Sequence, residues 1–143
     1  MKHFFTIIAL TLCVFLNTAC TKEDDADAFV GTYSVSDIEN VTCAGMSHTS
    51  TFTGTLNISK VSANRVQTSG WFSTFGEVIG NAVYFESYSY TSSESSLTTA
   101  FSSGSINGNV LIFTTTTSGM MKLSGSWYSY SSIGQHTCIK QQN

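Results

Sequence analysis

The sequence predicts an all-β domain, a single antiparallel up-and-down barrel of about eight strands, with a β-sandwich of the same strands as the alternative. Three observations predict it. Strand formers dominate: aromatic residues reach 13%, Thr and Ser fill the polar positions, and proline is absent. Apolar and polar residues alternate, most clearly in Phe52-Thr53-Gly54-Thr55-Leu56-Asn57-Ile58-Ser59, where the even positions are apolar or glycine. Regular turns punctuate the alternation, led by an Asn-Gly flanked by apolar residues in Ile106-Asn107-Gly108-Asn109-Val110, the signature of a type I′ hairpin.

Each element follows from these signals. Gly31-Thr32-Tyr33-Ser34-Val35-Ser36 opens a first strand over 31–39. The Phe52–Ser59 alternation places the second over 48–60, and a turn near 62–64 leads to strands over 65–72 and 75–80. Ile79-Gly80-Asn81-Ala82 turns into a strand over 82–91, and a turn near 91–95 precedes one over 96–106. The Asn-Gly hairpin leads to a strand over 109–117, a turn near 117–119 to one over 121–131, and a tail strand spans 136–140. Closing such a meander into a barrel removes its exposed edges. The predicted core is Tyr33, Val35, Phe52, Leu56, Ile58, Val66, Phe85, Phe113 and Trp127.

The first residues carry a different message. Lys2 and His3 precede an apolar run of 13 residues, 4–16, too short to span a bilayer, which takes roughly 20. The run ends in Asn17-Thr18-Ala19-Cys20, a small residue and then a cysteine. Leu16-Asn17-Thr18-Ala19-Cys20 resembles the lipobox of bacterial lipoproteins, with Leu16 one place further from the cysteine than that pattern has it. Cys20-Thr21-Lys22-Glu23-Asp24-Asp25 is similar to the export stretch that follows the lipidated cysteine in surface lipoproteins of the Bacteroidota. The resemblance implies a signal peptide over 1–19, lipid on Cys20, and an outer-membrane location on the cell surface, with the periplasmic face as the alternative. Residues 20–28 read as the lipidated cysteine and an acidic, flexible tether, and 29–143 as the barrel domain.

Within that domain, Phe29-Val30-Gly31-Thr32-Tyr33 resembles the opening G-x-W strand of lipocalin-like barrels, with Tyr33 in place of Trp. Gly104-Ser105-Ile106-Asn107-Gly108-Asn109-Val110-Leu111-Ile112-Phe113 and Gly125-Ser126-Trp127 are similar to the late hairpins of small lipocalin-like lipoproteins of the Bacteroidota. That resemblance implies architecture and leaves function open.

The search for chemistry excludes more than it finds. From Ala28 onward the net charge is −1 with no basic patch, which argues against nucleic acid as a partner. There is no G-x-S-x-G elbow, H-E-x-x-H or P-loop, and nothing calls for a cofactor, so the chain reads as a non-enzyme. Cys43 and Cys138 are the cysteines left to the domain, and outside the cytosol a disulfide between them is the default. A sharper reading adds His48 and His136 as a Cys₂His₂ metal site, without zinc-type spacing; the disulfide is preferred and no metal site is assigned. Glu77 and Glu86 flank a hairpin as a carboxylate pair, better read as edge charges. Tyr84, Tyr88 and Tyr90 are assigned to one strand face, and Tyr128 and Tyr130 to another, as ladders or a contact surface.

The leading function is non-catalytic binding of a small apolar or glycan ligand in the barrel, with Tyr33, Phe52, Leu56, Phe113 and Trp127 facing it. Low charge, 10% of residues, favours a neutral ligand. The second reading is a structural or host-interaction surface protein with a filled barrel, and the weakest is an enzyme. Apart from lipid held through Cys20, no other partner is assigned, and the oligomeric state stays open.

Overall fold

The computed structural model describes residues 25–142. The predicted signal segment 1–19, the predicted lipidation site Cys20 and the start of the predicted tether lie outside them. Ten strands follow a short 3-10 turn at Asp25–Ala28: β1 (Gly31–Cys43), β2 (Met46–Ser62), β3 (Arg65–Gly70), β4 (Phe75–Ile79), β5 (Ala82–Phe85), β6 (Tyr88–Thr91), β7 (Ser95–Phe101), β8 (Gly104–Asn107), β9 (Val110–Leu123) and β10 (Ser126–Lys140). All pairings are antiparallel. Because β10 pairs with both β1 and β9, eight strands close into a ring, in the order β10-β1-β2-β3-β4-β5-β8-β9. The all-β, barrel-like architecture is therefore as the sequence predicts.

Alternation builds the filled part of the ring. Its inward side chains include Tyr33, Val35, Leu56, Ile58, Val66, Val78, Val83, Ile106, Leu111, Phe113 and Cys138, all buried. Burying each such aliphatic or aromatic side chain contributes roughly 1.5–3 kcal/mol. Tyr33 spends its hydroxyl inside the barrel, donating to the Phe29 carbonyl at 2.7 Å. Residues 25–28, predicted as tether, pack on the barrel together with Phe29. Ala26 and Phe29 are fully buried, the Gly80 N–H donates to Asp25, and Lys60 pairs with Asp27 at 2.9 Å. They close the end of the barrel where β1 begins.

The other end is different. β1, β2, β9 and β10 run well past the closed ring, and β9 changes partner along its length. Val110–Ile112 pair with β8, and Thr115–Met121 with β7. The swap falls at Ser102, whose N–H donates to the Thr114 carbonyl and whose hydroxyl accepts from the Thr114 N–H. Above it the barrel opens into a six-stranded sheet, β2-β1-β10-β9-β7-β6, with β2 and β6 as its edges.

Several predicted boundaries move. The 82–91 strand divides into β5 and β6, and the 96–106 strand into β7 and β8. The turn near 117–119 does not form, since Gly119 lies inside β9 at φ 153°, pressed against the backbone of Ser96. The turn falls at Ser124-Gly125, with φ 49° and 86°, and the tail strand merges into β10. Gly108 has φ 60° but Asn109 has no positive φ, so this hairpin follows the II′ pattern with glycine first, not I′.

Two predicted core residues are exposed. Phe52 is 44% exposed because β2 pairs with β3 only from Leu56 downward. Trp127 is 46% exposed because the inward positions of β10 are the even ones.

Candidate functional site

A cleft of about 310 Å³ lies where the ring opens into the sheet, lined by Asp37, Glu39, Phe52, Trp71, Phe72, Tyr88, Thr99, Phe101, Thr115, Thr117 and His136. Cross-strand register assembles its floor. One row runs Phe113, His136, Asp37, Phe52 across β9, β10, β1 and β2, and the next runs Phe101, Thr115, Gly134, Glu39, Ser50 across β7, β9, β10, β1 and β2.

Its aromatic wall is held by loop and strand together. Phe72 packs on Phe85, Phe101 and Phe113 with ring centroids 5.4, 4.9 and 5.6 Å away. The loop carrying Trp71 and Phe72 is pinned by the buried Thr68, whose hydroxyl accepts from the Thr74 N–H at 2.9 Å, and by the Trp71 N–H donating to the Thr55 carbonyl. Gly54 makes room for the Trp71 ring, since a Cβ there would overlap it.

At the floor, His136 Nε2 and Thr115 Oγ1 share a hydrogen bond of 2.8 Å, and the imidazole stacks on Phe113 at 4.6 Å. Its Nδ1 lies 3.3 Å from Asp37 Oδ1, but the two do not form a hydrogen bond, and neither has another partner. Burial lowers the His136 pKa to about 4, so the ring is neutral at pH 7. Burial, and then the charge of Glu39, raises that of Asp37. The sequence of groups, carboxylate, imidazole and hydroxyl, is that of a hydrolytic relay. Two features separate it from a working one. The orienting Asp37–His136 hydrogen bond is missing, and Thr115 sits in mid-ladder between Phe101 and Gly134, where backbone amides serve strand pairing.

The residues assigned to ligand contact scatter. Phe52 lines the cleft; Tyr33, Leu56 and Phe113 belong to the packed interior; Trp127 lies outside it. Missed by the sequence reading were Asp37, Glu39, Trp71 and His136 as cleft residues. The alternation of β1 carried a signal, because Asp37 and Glu39 share the face of Tyr33 and Val35.

The predicted disulfide does not form: Cys43 and Cys138 are free thiols. Barrel closure does make β1 and β10 neighbours, but Cys43 pairs with Tyr130 while Cys138 pairs with Val35. Eight residues of strand, roughly 26 Å, separate them, against about 7 Å at most between Cα atoms of a disulfide. The same register keeps His48, opposite Val41, away from His136, and no cluster of metal-binding side chains forms among the described residues.

Glu77 and Glu86 line a separate surface groove of about 500 Å³ with Arg65 and Tyr84, where Arg65 pairs with Glu86 at 2.9 Å and stacks over Phe75. Tyr84 is cut off from Tyr88 and Tyr90 by the break between β5 and β6.

Comparison of the chain with protein-family models, with characterised proteins and with solved structures finds no match.

Proposed function

We propose that the protein is a lipid-anchored binding protein of the outer membrane, displayed on the cell surface through Cys20, that holds a small apolar or glycan ligand without catalysis. The observation that supports binding is the cleft itself, an aromatic-walled space of about 310 Å³ at one end of an otherwise filled barrel. Recognition sites of this kind combine apolar walls with a few placed polar groups, here Asp37, Glu39, Thr99, Thr115 and Thr117. The basic, apolar and small-residue segments ahead of Cys20 support the anchor.

The chain has two tryptophans, and only Trp71 lines the cleft. A screen of lipids and glycans read by fluorescence should yield a ligand whose signal survives Trp127→Phe and disappears in Trp71→Phe. A complete screen without a hit, or a signal that follows Trp127, would refute the reading. In cells, Cys20→Ala should release the protein from the detergent phase; unchanged partitioning would refute the anchor.

One observation favours the interaction-protein reading. The outward face of β1, β2, β9 and β10, over 32–42, 49–57, 112–120 and 129–139, presents Ser, Thr, Asn and Gln around exposed Ile38, Ile112, Ile133 and Ile139, with no charged side chain.

A further inference from the structure

The floor of the cleft carries negative charge without a cation beside it. Asp37 is only 4% exposed, and its Oδ1 accepts no hydrogen bond. A second carboxylate, Glu39, lines the same space, and among the described residues no Lys or Arg does. His136 is close to Asp37, yet its imidazole is neutral at pH 7 and supplies no charge. Elsewhere the pattern is the reverse: Asp27 and Glu86 each touch a basic side chain at 2.9 Å, although both are exposed. A carboxylate taken out of water without a partner is costly. Here the Asp37 side chain, whose inner oxygen is covered by protein, lines a space large enough for a small molecule, walled by Phe52, Trp71, Phe72, Tyr88 and Phe101.

We propose that the cleft recognises a primary ammonium group, held between Asp37 and Glu39, on a ligand whose carbon skeleton lies against Phe52, Trp71 and Tyr88. The proposal rests on the binding reading above and gives its apolar or sugar-like ligand a charged amine, in place of the neutral molecule expected from the sequence. The chemistry of the lining selects the group. Carboxylates lining a cleft are matched by N–H donors, which a primary ammonium has and a quaternary one lacks. Ring faces attract the same positive charge. A hydroxyl in place of the ammonium donates a hydrogen bond but leaves both carboxylate charges uncompensated.

Paired probes test this. Glucosamine against glucose, and phenethylamine against phenethyl alcohol, are titrated into the intact protein by calorimetry and Trp71 fluorescence. In each pair, the amine should bind at least tenfold more tightly than its alcohol. Asp37→Asn, nearly equal in size, should remove most of that preference, weakening the amines at least several-fold more than the alcohols. Glu39→Gln, at a half-exposed position that tolerates change, should reduce the preference several-fold even if the Asp37 variant fails to fold. Equal binding of amine and alcohol overturns the proposal and leaves the binding reading standing. Binding of none of the four overturns the proposal too, and the lipid and glycan screen then decides the broader reading by itself.

Discussion

Replacing Gly134 by alanine tests whether the floor of the cleft is as tightly assembled as its register implies. An alanine Cβ there would lie 2.7 Å from Thr115 Oγ1, 2.9 Å from His136 Nε2 and 3.2 Å from Asp37 Oδ1, where ordinary contact begins near 3.4 Å. Thr115 and His136 are bonded to each other at 2.8 Å, and the methyl group would wedge between them. Overpacking of this kind costs about 1–3 kcal/mol, and losing the hydrogen bond adds about 1 kcal/mol. Against this, alanine is favoured over glycine inside a strand by about 0.5–1 kcal/mol. The net expectation is a loss of about 1–3 kcal/mol, or a fall in Tm of about 4–12 °C for a domain of this size. Thermal melts followed by circular dichroism would measure it. Thr115→Ala removes the nearest obstructing atom, so Gly134→Ala should cost less in that background than in the wild type. A Gly134→Ala protein that melts with the wild type, or two substitutions that simply add, would refute the reasoning.

Two further outcomes follow from buried groups. In residues 21–143, maleimide should label Cys43 in the native state, whereas Cys138, fully buried and with its thiol pushed up to about 12, should react only in denaturant; two unreactive cysteines joined to each other would restore the disulfide. Acid should weaken the fold through His136: its native pKa of about 4 lies below the unfolded 6.5, so the unfolded chain binds the extra proton, and stability present above pH 6.5 is lost as pH falls toward 4. That loss is at most about 3 kcal/mol, and Asp37, shifted the opposite way, offsets part of it. His136→Gln should flatten urea midpoints between pH 6.5 and 4, and an unchanged pH profile would count against a neutral, buried imidazole.

How far the fold could be read in advance depended on where side-chain alternation coincides with closure. Leu56, Ile58 and Val66 lie inside the ring, and their periodicity led directly to burial. Phe52 is equally apolar and on the inward face but sits beyond the ring, where β3 no longer pairs with β2, and Trp127 falls on the outward face of β10; alternation identifies a face and not what packs on it. Gly119 looked like a turn because glycine signals both turns and close backbone approach, and here the approach of Ser96 decides. The cleft was the least legible part. Its floor is two cross-strand rows drawn from widely separated segments, and a register difference of one residue would have turned Asp37 and His136 away from it. Even so, Asp37 and Glu39 two and four residues beyond Val35 were a visible sign of carboxylates on an inward face.

The docking of Asp25 to Phe29 against one end of the barrel also sets how an anchored molecule would stand. With lipid on Cys20, five residues reach Asp25, a span of at most about 17 Å when extended. Since that attachment point is at the end where β1 begins, the plugged base would be the part of the barrel kept nearest the bilayer. The mouth, with Asp37, Glu39 and Trp71, would then lie at the end remote from the anchor, open to molecules arriving from the medium.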